Sequence, residues 1–251
     1  MPRYKLTIEY NGTNFCGWQR QKNLLSVQQL IEEAIEKFCG INCQIYCAGR
    51  TDAGVHAYGQ VAHVDISKHY PEYTIMMAIN HHLMSNVNSK NQIAIVNVEL
   101  VSDEFHARFD AKLRSYQYII VNRAAILILD HQRAWHISAN LDIDVMQQAA
   151  NYLLGTHDLT SFRAAECQAK SPIKTINDIK VIKENDNIIK INLVAPSFLH
   201  NQVRIIVGSL KNIGEGKWQA EYIKKILQSR DRSCAGQTAP ACGLYFMQAI
   251  Y

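Results

Sequence analysis

Between two apolar runs, 41–46 and 61–66, the chain places Cys47-Ala48-Gly49-Arg50-Thr51-Asp52-Ala53-Gly54-Val55-His56-Ala57-Tyr58-Gly59-Gln60. Both runs predict strands, so the stretch between them must leave one strand and enter another. Three glycines within eleven residues mark it for backbone angles, or close approaches, that a side chain would forbid. Arg50 and Asp52 are two apart, which on an extended backbone points both to one side. A guanidinium beside a carboxylate favours the ionised acid. An ionised, rigidly held Asp is what covalent carboxylate catalysis requires. The plainer alternative is an Asp that caps a turn, with Arg50 as its surface partner, since Asp and Gly are ordinary turn residues.

A chain of 251 residues is long enough for one large or two small domains with a substantial core. Hydrophobic residues make up 48% and charged residues 19%, the balance of a globular protein. No apolar run approaches the ~18 residues of a membrane span. The start, Met1-Pro2-Arg3-Tyr4-Lys5, leads directly into a strand pattern without a signal peptide, so a cytoplasmic protein is expected. Seven cysteines in irregular spacing do not form a disulfide framework. Cys39, Cys43 and Cys47 are four apart, but Gly40 and the β-like Gln44-Ile45-Tyr46 break any shared helix, and no metal is expected there. The net charge of +4 lies in the second part: residues 1–108 carry 9 basic and 10 acidic side chains, residues 109–251 carry 17 and 12. A mild basic face fits a polyanionic partner without proving one. No Gly-x-Gly-x-x-Gly and no P-loop occurs, so neither a dinucleotide nor ATP is indicated.

Along the chain, 4–10 alternates as a half-buried strand. Gly17-Trp18-Gln19-Arg20-Gln21 follows in a loop, where Trp18 either packs in the core or serves a functional loop. Ser26 to Gln29 is a capping box, Leu30, Ile31, Ala34, Ile35 and Phe38 give one face of a helix, and Gly40 stops it. A helix over 73–83 and a strand over 93–100 complete strand–helix–strand–strand–helix–strand, the split βαβ order of a ferredoxin-like unit. Phe105-His106-Ala107-Arg108-Phe109 connects to the second part, either as a packed linker or as an Arg for phosphate between rings for bases. A strand over 114–121 carries Tyr116 and Tyr118 on one face. A helix over 144–154 ends at Gly155, and Glu166-Cys167-Gln168-Ala169-Lys170 lies in a polar loop. A hairpin is expected from 175–184 and 187–195. In 198–208, Arg204 interrupts an apolar helical run, and a charge there is costly unless paired. No acid lies three or four residues away, so Arg204 either reaches solvent or takes a distant partner, with Asp52 the obvious candidate. The chain ends on a helix over 220–228 and a strand opening at Gly243.

Gly49-Arg50-Thr51-Asp52-Ala53-Gly54-Val55-His56-Ala57 resembles the active-site loop of the tRNA pseudouridine synthase A family. The resemblance extends through the Gly-Trp-Gln-Arg-Gln loop, Phe105–Phe109, Arg114-Ser115-Tyr116-Gln117-Tyr118, Gly155-Thr156-His157-Asp158-Leu159-Thr160-Ser161-Phe162-Arg163, Phe198–Arg204 and Gly243-Leu244-Tyr245-Phe246. Leu159 stands where the family more often has Phe, and Cys242 where it more often has His.

The resemblance implies an α+β pseudouridine synthase fold. Two ferredoxin-like halves, 1–108 and 109–251, would share a largely antiparallel central sheet with an active-site cleft between them. It implies isomerisation of uridine to pseudouridine at positions 38, 39 and 40 of the tRNA anticodon stem–loop, without cofactor, by a cytoplasmic homodimer. Asp52 would be the nucleophile, Arg204 its ion-pair partner and Tyr116 the platform for the target base, since a flipped base needs a new stacking neighbour. Arg20, Arg50, Phe105, His106, Ala107, Arg108, Phe109, Glu166, Cys167, Gln168, Ala169 and Lys170 would contact RNA. Two other classes stand beside this: a non-catalytic RNA-binding module on the same scaffold, and an Asp-dependent hydrolase needing a second carboxylate or a metal.

Overall fold

The computed structural model describes residues 1–251. In chain order the elements are β1 (Arg3–Tyr10), α1 (Val27–Cys39), β2 (Tyr46–Cys47), β3 (His56–Asp65), α2 (Glu72–Ser85), β4 (Ile93–Val101), β5 (Leu113–Asn122) and β6 (Trp135–Ile137). There follow α3 (Ile143–Asn151), β7 (Gly155–Asp158), β8 (Ile173–Ile176), β9 (Asp178–Lys183), β10 (Ile188–Ala195), α4 (Gln202–Gly214), α5 (Tyr222–Ser229) and β11 (Leu244–Ile250). They form two compact units, one of Met1–Lys112 with Tyr245–Tyr251, the other of Leu113–Leu244. Each is α+β with mostly antiparallel strands. No helix is long and apolar enough to cross a membrane.

In the first unit β3 is the organising strand. β1 lies antiparallel on one side, from Arg3↔Asp65 to Tyr10↔Ala57, with a bulge between Ile8 and Tyr10. β4 continues the sheet beyond β1. The alternation in β1 buries Tyr4, Leu6, Ile8 and Tyr10. The other edge of β3 is shared. β2 takes one end antiparallel, with Tyr46↔His63 and Cys47↔Ala62. β11 takes the other end parallel, with Tyr245↔His56 and Phe246↔Ala57. The chain thus leaves this edge at Cys47 and returns at His56, and residues 48–55 must loop out between. α1 begins where Ser26 Oγ accepts the Gln29 N–H at 3.3 Å and ends at left-handed Gly40, φ +72.

Two elements depart from the sequence expectation, each for a physical reason. The apolar run 41–46 becomes strand only at Tyr46. Before it, the Ile45 N–H donates to Glu32 Oε1 at 3.1 Å, and Gln28 Nε2 donates to Ile45 O at 3.4 Å. Side chains of α1 satisfy this backbone in place of a neighbouring strand. The following strand starts at His56, five residues before the apolar run at Val61, because buried polar groups extend it: His56 and Gln60 are both within 3% of full burial.

In the second unit β10 lies between β5 and β9, antiparallel to both, with Leu193↔Tyr116 and Leu193↔Ile179 in register. β6 runs parallel to β5. The expected hairpin over 175–195 is β9–β10. β8 is a separate strand paired with β7, the chain having turned at Asn177. α4 packs on the segment 236–239. A Cβ on Gly208 would lie 1.8 Å from Gln237 O, so only glycine allows the approach. Ser209 Oγ accepts the Gly236 N–H at 2.9 Å, and the Ala239 N–H donates to Arg204 O at 3.1 Å.

Candidate active site

The Asp52 loop is clamped by its own backbone. Gly17 and Asp52 form an isolated antiparallel bridge, and the Trp18 N–H donates to Thr51 O at 3.0 Å. The Val55 N–H closes a turn onto Asp52 O at 3.2 Å, and Gly54 is left-handed at φ +79. Gly17 is itself at φ +109, and a Cβ there would meet Thr51 O at 2.6 Å. Gly12 approaches from the other side: its N–H donates to His56 Nδ1 at 3.0 Å, and a Cβ would sit 1.9 Å from Val55 O. Two glycine contacts and a bridge therefore set the height of the loop over β3.

Side chains finish the clamp. Thr51 points inward, its hydroxyl 2.6 Å from the Tyr10 hydroxyl in a buried contact. Burial pushes the Tyr10 phenol far up, so it stays neutral, and Gln60 reaches the same hydroxyl. Gln60 Nε2 also donates to Gly49 O at 2.7 Å. With Thr51 turned in, Arg50 is exposed and Asp52 half-buried on either side of it. Tyr10, Gly12 and Gln60 were not among the sequence-derived site residues. In the sequence they show only as a strand tyrosine, a turn glycine and a polar residue just before an apolar run.

Residues 105–109 form a turn in the same unit. Ala107 is fully buried, and its N–H donates to His63 Nδ1 at 3.1 Å. Phe105 packs inward, 4.9 Å from the Tyr251 ring, whereas Phe109 is 73% exposed, with the Arg108 guanidinium 5.6 Å from its centroid. His106 Nδ1 accepts from the Arg108 N–H at 3.1 Å. Of the five residues, Arg108 and Phe109 present their side chains outward most fully. Arg20 is half-exposed. Its Nη1 lies 3.1 Å from Glu32 Oε2, and its N–H donates to Gln28 Oε1 at 3.0 Å.

His63 carries a pH dependence. Burial pushes its imidazole down to about 4 from the ordinary 6.5, helped by Arg3 and His106 and opposed by Asp65 and Asp110. Between those values the unfolded chain binds a proton that the folded chain does not, so this group's contribution to stability is lost as pH falls from 6.5 toward 4. Thermal midpoints should fall over that window, and His63→Gln, which keeps an acceptor for the Ala107 N–H, should decline less steeply.

In the second unit Tyr116 is 8% exposed and meets Phe198 edge to face at 5.0 Å. Arg204 stands in the first turn of α4. Its Nε donates to Ala239 O and its Nη1 to Asn201 Oδ1, both at 2.7 Å, which fixes the direction of the guanidinium. Asn201 holds that position in a left-handed conformation, φ +60. Burial raises the Cys242 thiol, and the Arg204 charge opposes the rise. The loop 166–170 docks on the approach to α4. The Ala164 N–H donates to His200 O at 3.2 Å, and the His200 N–H reaches Cys167 Sγ at 3.4 Å. Cys167 is buried, Ala169 half-buried, and Glu166, Gln168 and Lys170 are exposed.

A family model described as tRNA pseudouridine synthase matches residues 6–110 and 149–251. The chain belongs to the tRNA pseudouridine synthase family. Asp52 and Arg204 fall inside the matched spans, and Tyr116 lies in the interval between them. Among relatives, a tRNA pseudouridine synthase A of Ehrlichia canis (strain Jake) is 52% identical over 250 residues, covering 99% of this chain and all of the relative. One of Paramagnetospirillum magneticum (strain ATCC 700264 / AMB-1) is 51% identical over 251 residues, covering all of this chain and 96% of the relative. The family's enzymes are isomerases that act on uridine in tRNA.

Proposed function

We propose that this chain isomerises uridines 38, 39 and 40 of the tRNA anticodon stem–loop, without a cofactor, with Asp52 as nucleophile. The observation that carries this reading is the Asp52 loop itself. A half-buried carboxylate sits on a backbone held by the Gly17 bridge, the Val55 turn and the Thr51–Tyr10 contact. Such a carboxylate is oriented before substrate arrives, which is where much of an enzyme's rate advantage originates.

The reaction balances within the substrate. The bond from uracil N1 to ribose C1′ breaks, the base turns over, C5 bonds to C1′, and the hydrogen at C5 leaves as a proton while N1 gains one. No electron pair is gained or lost overall and no water is consumed. Asp52 supplies the electron pair that holds an intermediate, by attack either on the base or on C1′, and that bond breaks again before the product leaves, returning the pair to the carboxylate. Arg204 serves as partner to the carboxylate, and Tyr116 stacks on the target base. Arg50, Arg108 and Lys170 hold phosphates, with Arg20 assisting. Extruding the base costs a few kcal/mol, which backbone contacts must offset. The enzyme acts in the cytoplasm as a homodimer, with tRNA across both subunits.

Treating modified tRNA with a carbodiimide that marks pseudouridine, then primer extension, tests the assignment. Stops attributable to positions 38, 39 and 40 are expected after incubation with enzyme. Stops confined to another arm of the tRNA would replace the assigned substrate region.

A further inference from the structure

We propose that Tyr46, with the turn at 106–109, forms a stacking platform for an unpaired nucleobase of the tRNA, and that Arg50 and Arg108 hold the phosphates beside it. This rests on the reading of tRNA as substrate and adds a binding residue to it.

Tyr46 opens β2, opposite His63 on β3, and is 46% exposed. Its ring stacks on the His63 imidazole at 5.2 Å and 20°. His63 is a fixed support. It is 2% exposed, and its Nδ1 accepts the Ala107 N–H, which a neutral ring alone can do. His106 meets His63 edge-on at 4.7 Å and lies 5.9 Å from Tyr46. Phe109 follows at 4.3 Å from His106. The column thus begins and ends on exposed rings, with two imidazoles between them.

The turn is held as firmly as the column. The His106 N–H donates to Asp110 Oδ2 at 2.7 Å, and His106 Nδ1 accepts from the Arg108 and Phe109 N–H groups at 3.1 and 3.4 Å. The Arg108 guanidinium lies over the Phe109 ring, 5.6 Å from its centroid. Arg50 follows Tyr46 by four residues in the segment that leaves β2, and its charge, like that of Arg108, acts on the thiol of Cys47. Two exposed rings braced from beneath, with two arginines alongside, match what single-stranded nucleic acid offers: flat bases and a phosphate chain. A braced ring loses little conformational freedom when a base settles on it.

The test compares Tyr46→Leu and Tyr46→Phe with wild type, using unmodified tRNA transcript in binding and steady-state assays at several salt concentrations. Leu keeps apolar cover over His63 and removes the ring plane. Tyr46→Leu should raise KM and Kd roughly 10-fold with kcat little changed, and Tyr46→Phe should restore both. The slope of log Kd against log salt should be unchanged for Tyr46→Leu, while Arg108→Gln should lower it by about one. A Tyr46→Leu enzyme that binds and turns over tRNA with wild-type KM overturns the platform. Loss in Tyr46→Phe equal to that in Tyr46→Leu also overturns it, because stacking would then not be the cause. Failure of the wild type to modify any tRNA uridine would instead remove the substrate reading.

Discussion

Asp52→Asn should lower turnover by about 10^4-fold or more while leaving the enzyme folded and able to bind tRNA. The substitution is nearly isosteric, and it leaves in place the backbone contacts that help set the loop's path: the bridge to Gly17, the Thr51 carbonyl to Trp18, and the Asp52 carbonyl to Val55. A carboxamide offers an oxygen of similar shape without the negative charge that makes a carboxylate a nucleophile. Losses of this size are ordinary when a covalent nucleophile is removed. The comparison requires single-turnover rates of pseudouridine formation, a tRNA binding isotherm and a thermal midpoint for both proteins. Loss of rate together with loss of fold would assign Asp52 a structural role, and retention of rate would remove it from the chemistry.

Gly12→Ala should cost about 100-fold or more in kcat/KM without touching any group that reacts. The added Cβ would lie 1.9 Å from Val55 O and 2.6 Å from Val55 C, and both are backbone atoms that no rotamer change can clear. The Val55 turn must shift, and Asp52 O is the acceptor of that turn. A displacement near 1 Å of a reacting group is enough for a loss of about 100-fold. Gly40→Ala is the matched control. Gly40 ends α1 at φ +72 with nothing within 4 Å of the added Cβ, so its cost is about 1 kcal/mol of local strain and activity should persist. Equal activity losses in the two variants would show that the effect is general destabilisation and not loop position.

How far the sequence carried the fold can be judged at particular residues. β1, α1, α2 and β4 were legible because their apolar residues recur at the period of the element, and because Ser26 and Gly40 punctuate α1 as capping requires. The stretch 41–45 misleads because its apolar residues suggest a strand, whereas the backbone of Ile45 at its end is bonded by Gln28 and Glu32 of a helix. β3 was read short because His56 and Gln60 are buried for their hydrogen bonds, which hydropathy cannot register. The placement of β11 beside His56 was not readable at all, since strand pairing across most of the chain leaves no local pattern. In the site, Arg50, Asp52 and Arg204 stood out by type and spacing. Tyr10 and Gly12, which position the loop, look locally like any strand tyrosine and turn glycine.

The most direct measurement is tritium release from tRNA labelled with [5-³H]uridine, by wild-type enzyme in the presence of a metal chelator. Forming the bond from C5 to C1′ must expel the hydrogen at C5. Stoichiometric release is expected with chelator present, at the rate seen without it. Intact tRNA binding with no release would contradict the proposed function, and so would release that chelation abolishes.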